Sequence, residues 1–150
     1  MRWGVVGLVL SLGASTTALA TTPGLDGWAA VLHVSPNWHY VTGTDVVRVF
    51  LSPTTPPSAN SMWERIEFQT PQTQTDGVYE SSVSLLEFDC RHTRVRVLQS
   101  TNYAERDLHG TTTNFPLPQD WEVPRVNTLL ADELQYGCAS QPPPVLPPPA

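Results

Sequence analysis

The chain has 150 residues, a formal net charge of −6, eight basic residues and two cysteines. An acidic chain whose only cations are scattered arginines is a poor partner for nucleic acid, whose phosphates demand clustered positive charge. It carries no glycine-rich phosphate loop, no H-E-x-x-H and no G-x-S-x-G, so the common signatures of phosphate-loop, metalloprotease and serine-hydrolase chemistry are missing.

Residues 1–20 read as a signal peptide. Met1-Arg2 supplies the charge, WGVVGLVLSLGA the short apolar run, and Ala18-Leu19-Ala20 the A-x-A cleavage site. The run is shorter than the roughly 18 apolar residues a spanning helix needs. No second such run follows, so the mature chain is expected to have no transmembrane segment and to be exported, in the periplasm or at the cell surface. The cleavage point offers no cysteine for a lipid anchor.

Residues 21–140 are expected to form one domain. Trp28 to His33 alternates weakly and His39 to Thr42 is a brief strand. Val46 to Leu51 is rich in β-branched and aromatic residues and reads as a good strand. Trp63 to Gln69 alternates, with Ile66 and Phe68 directed inward. SPTTPPSANS and TPQTQTDG are polar, rich in Pro, Ser and Thr and without apolar period, and read as exposed loops.

LLEFDC and RVRVL form a hairpin. Strand side chains alternate with period two, so Leu86, Phe88 and Cys90 share one face with Val95 and Val97. The expected register sets Cys90 opposite Val95, Phe88 opposite Val97 and Asp89 opposite Arg96, around a four-residue loop from Arg91 to Arg94. Thr111 to Phe115 and Trp121 to Val123 are expected edge pieces. In PRVNTLLADELQYGC, Asn127 can cap a helix, Val126, Leu130 and Leu134 form its apolar stripe, Asp132 and Glu133 face water, and Gly137 ends it. Residues 141–150, QPPPVLPPPA, are a proline-rich tail, read as a solvated polyproline spacer or as a ligand for a proline-binding groove.

Two cysteines in an exported chain point to one disulfide, Cys90 to Cys138. A metal site or a reactive thiol pair are the alternatives, and neither has supporting residues nearby. His33, His39, His92 and His109 lack the tight spacing of zinc ligands, so no metal and no cofactor is expected. The acid pairs Glu64/Glu67 and Glu87/Asp89 read as solvent faces of strands rather than glycosidase carboxylates, and no catalytic residue is assigned. Trp38, His39 and Tyr40 cluster after Pro36-Asn37, either as an interface anchor or as a plug for the sheet edge.

One set of pieces is shared with a known family: Trp28, Tyr40-Val41, Glu87-Phe88-Asp89-Cys90, Arg94-Val95-Arg96, Trp121 and Pro124 in W-E-V-P, and a short helix from Leu129 to Cys138. Over most of residues 28–139 the chain resembles the surface-adhesin protein E domain family of Gram-negative bacteria. That resemblance implies an α+β fold, a small antiparallel sheet of about six strands with the C-terminal helix packed on it. It also implies a non-enzymatic domain that binds proteins of the host. A periplasmic accessory or assembly protein of the cell envelope is the alternative. A protein partner is expected, but no binding residue carries over from the family.

Overall fold

The computed structural model describes residues 22–54, 58–115 and 119–140. The expected signal peptide and proline-rich tail lie outside them. Six strands follow one another, β1 (His39–Gly43), β2 (Val47–Ser52), β3 (Ser61–Gln74), β4 (Gly77–Asp89), β5 (Arg94–Glu105) and β6 (His109–Asn114), before helix α1 (Leu129–Ala139). They pair in chain order as one antiparallel meander. The expected α+β architecture is therefore the observed one.

Period-two alternation divides each strand between two faces. On the first, Leu51, Met62, Leu86, Phe88 and Val95 are buried, and Val41, Val97, Leu130, Leu134, Tyr136 and Cys138 pack around them. This is the core under α1. On the second, Phe50 and Leu85 are buried with Ala29 and Leu32 of the N-terminal segment. That segment is held down by Arg48. Its guanidinium donates to the Gly24 carbonyl at 3.1 Å and to Asp26 at 3.2 Å, and it lies 5.3 Å from the Trp28 ring centroid. The segment is a 3₁₀ turn, Gly27–Val31, not the weak strand expected from Trp28 to His33.

The hairpin register differs from expectation by two residues. Phe88 faces Val95, Asp89 faces Arg94, Glu87 faces Arg96 and Leu86 faces Val97. The loop is still four residues but runs from Cys90 to Thr93, with Thr93 at φ 49°. The parity is conserved, so the apolar set keeps its face. Ion pairs select the step: Arg94 donates to Asp89 at 2.8 Å and Arg96 to Glu87 at 2.6 Å.

The helix starts at Leu129, as the family resemblance implied, but its caps lie later than the residue pattern suggested. Thr128, not Asn127, is the N-cap, its hydroxyl accepting from the Ala131 N–H at 3.2 Å. Val126 precedes the helix and is exposed. Gly137 lies inside it, buried against the Phe88 ring, so α1 continues through Cys138. TPQTQTDG is not a loop: β3 runs to Gln74 and β4 starts at Gly77. Pairing breaks between Glu67 and Gln72, around Pro71, because proline has no N–H for the ladder. Trp121 to Val123 contributes a bridge, Glu122 to Val95, rather than a strand.

Candidate binding surface

The disulfide fixes the frame. Cys90 and Cys138 are bonded, with Cα atoms 5.6 Å apart, and join the β4–β5 turn to the last turn of α1. It holds α1 over one end of the sheet only. An 11-residue helix is about 16 Å long, whereas the 14-residue β3 reaches about 46 Å. Among the described residues, much of the helix-side face therefore has no helix above it.

The rows of that face show the change. Phe88 with Val95, then Met62 with Leu86 and Val97, are apolar. The next row is Leu51, Glu64, Ser84 and Ser100, and the one after it Val49, Ile66, Ser82 and Asn102. Glu64 therefore stands at the margin of the helix-covered core. There it meets the Glu133 carboxyl from α1 and the Ser84 hydroxyl. Glu64 is only 6% exposed and Glu133 only 2%, contrary to the solvent-facing positions expected for both. Oε2 of Glu133 has no partner among the described residues. Burial pushes Glu133 well above the ordinary carboxylate range, and the Glu64 charge pushes it further. Glu64 is raised by burial against the pull of its two hydrogen bonds. Two carboxyl groups in such contact cannot both ionise cheaply, so the pair holds a proton to higher pH than an isolated glutamate would.

The opposite face has its own buried charge. Glu67, expected in solvent, is fully buried and accepts from Arg65 Nε at 2.7 Å. Arg65 also donates to Asp107 at 2.8 Å and to the His33 carbonyl at 3.3 Å. His33 returns a backbone N–H to Asp107 at 2.8 Å, and its ring contacts the same carboxylate at 3.0 Å. Burial would raise Asp107, but the His33 and Arg65 bonds outweigh it and the net shift is downward. This network ties the N-terminal segment to the β5–β6 turn. His92 bonds Asp89 and His109 a backbone carbonyl, so the histidines stand apart.

Beyond the helix, Ile66, Phe68, Tyr79, Val97 and Phe115 line a hollow of about 220 Å³, with Ser82, Ser84, Ser100, Asn102, Gln74 and Gln119 between them. Phe68 and Tyr79 meet edge to face at 5.5 Å. Aromatic side chains set among neutral hydrogen-bonding groups are what the centre of a protein–protein interface contains. The inward expectation for Ile66 and Phe68 holds in direction, but both are half-buried. The Trp38 cluster is divided. Tyr40 plugs the edge, 5.7 Å from Phe50, while Trp38 is half-buried and His39 exposed. On the other face, Trp121 stacks 4.8 Å from Arg94 and 4.5 Å from Arg96, closing the charge ladder.

Together these features define a disulfide-stapled α+β domain with a half-open sheet face. Residues 38–139 match the family described as Surface-adhesin protein E, and the chain belongs to that family of adhesin-like surface proteins. No curated protein and no solved structure matches it. No helix among the described residues is long and apolar enough to cross a membrane.

Proposed function

We propose that this chain is an exported, non-enzymatic binding domain that engages a protein partner, of the host or of the cell envelope, through the uncovered part of its helix-side sheet face. The family match supports the class. The observation that carries the surface is the hollow of Ile66, Phe68, Tyr79 and Phe115 beyond the reach of α1. Its aromatics are rigid and half-exposed, and the intervening serine, asparagine and glutamine groups offer hydrogen bonds without a charge to desolvate.

Two measurements test it. Biotinylation of intact cells asks whether the mature chain reaches the outer surface; recovery only from the periplasmic fraction eliminates host engagement and leaves an envelope partner. Crosslinking from a photoreactive residue at Phe68, compared with one at exposed Val78 on the adjacent strand, asks which surface is used. Capture of one extracellular or envelope protein from Phe68 but not Val78 is expected. Equal capture from both sites would reject this surface.

A further inference from the structure

A second hollow lies at the β1 edge, of about 620 Å³, between the N-terminal segment and the last turns of α1. Trp38, His39, Tyr40 and Tyr136 line it with Pro23 and Pro36. Tyr40 is engaged with Phe50, but the Trp38 indole N–H and the Tyr136 hydroxyl have no hydrogen-bond partner among the described residues. Trp38 is nevertheless half-buried. A groove of aromatic rings carrying free donors is the arrangement that receives polyproline segments. Such segments have fixed φ, no internal hydrogen bonds and carbonyls turned outward to accept.

The chain supplies that ligand beside the groove. Ser140 is fixed over Tyr136, its N–H and hydroxyl both donating to the Tyr136 carbonyl at 3.1 and 2.9 Å. Residues 141–150 follow at once, six of them proline. In polyproline geometry ten residues reach about 30 Å, far enough to run from α1 along β1. Tethering makes the encounter intramolecular, at an effective concentration on the order of 1 mM. We infer that the chain's own tail, Pro142–Pro149, docks in the Trp38–Tyr136 groove and covers the β1 edge of the sheet. Prolines suit that position because they cannot donate to the strand and so extend the sheet.

The test uses the full exported chain. Its Trp38 indole N–H resonance, assigned with Trp38→Phe, is compared with that of a chain in which Pro142, Pro143, Pro144, Pro147, Pro148 and Pro149 are replaced by serine. The resonance should differ between the two. Added QPPPVLPPPA peptide should restore the wild-type position in the serine-tailed chain. The wild-type chain should respond to peptide more weakly, because its own tethered tail, at an effective concentration on the order of 1 mM, competes for the groove. Tyr136→Ala in the serine-tailed chain should abolish the peptide response, and Phe68→Ala, at the separate surface, should leave it unchanged. Identical Trp38 resonances together with no peptide response would overturn the assignment. So would a wild-type shift that grows with protein concentration, since the tail would then be reaching a second copy.

Discussion

Gly137 is where a single hydrogen atom decides how closely α1 approaches the sheet. A Cβ at this position would lie 2.8 Å from two carbons of the Phe88 ring. Alanine is the better helix former by about 1 kcal/mol, but overpacking a filled core costs about 1–3 kcal/mol. Gly137→Ala is therefore expected to lower the urea midpoint despite its propensity gain. The glutamate pair makes a pH-dependent claim. Glu64 and Glu133 bind protons more tightly when folded than the ordinary 4.5 of a glutamate. Their contribution to stability is thus complete below that value and is lost as pH rises through the raised values. Glu133→Gln should remove most of this loss. Urea midpoints across a pH series should show the variant gaining on wild type as pH rises, with a parallel pair of curves excluding the coupling. These glutamates were the least legible residues in the sequence. In a strand or helix pattern a charged residue marks the wet face by default, and here it is the docking of a distant element, α1, that covers Glu64. Glu133 is 69 positions from Glu64, and no local signal joins them.

At the scale of elements, the disulfide and the buried arginine bear different loads. Closing a 48-residue loop restricts the unfolded chain by about 4 kcal/mol. Replacing Cys90 and Cys138 by serine should cost about that amount. Hydrogen exchange should show α1 losing protection first while β2–β5 keep theirs, because hairpin pairing is independent of the bond. Arg65→Ala should be as damaging, about 3–5 kcal/mol, since it leaves Glu67 buried without its cation. Arg65→Ala together with Glu67→Ala should recover part of that loss, and a double-variant loss equal to the sum of the two single losses would show that the pair is not coupled. The elements themselves were largely readable. VVRVFL, the EFDC hairpin, the C-terminal helix and its cysteine all carry a period or a spacing. What escaped was the far half of the β3–β4 hairpin: Thr70 to Gln74 is strand with largely exposed side chains, so no apolar alternation marks it. The hairpin step escaped too, because parity alone allows every second register and the Asp89–Arg94 and Glu87–Arg96 pairs make the choice.

The whole molecule is asymmetric along its strands. One end is capped by α1, bonded through Cys90–Cys138 and packed with Phe88 and Leu86; the other presents Phe68, Tyr79 and Phe115 to its surroundings. Phe68→Ser is accordingly expected to change the thermal midpoint by only a few degrees, roughly that of a half-exposed site, while Phe88→Ser should unfold the chain or cost several kcal/mol. Circular dichroism melts of the two variants would check the contrast, and comparable losses would mean that the open end is part of the core. The class of fold could be read from the sequence at this scale, but not which end would be bare, since that follows from the short helix being bonded at the β4–β5 turn.

That bonding point has an evolutionary corollary. A change at Ile66, Phe68, Tyr79 or Phe115 leaves the Cys90–Cys138 bond and the Phe88 core untouched, so a lineage carrying this fold can rewrite the aromatic hollow without loosening the pole that α1 caps. The surface proposed here for binding is thereby free to vary while the bonded half stays put.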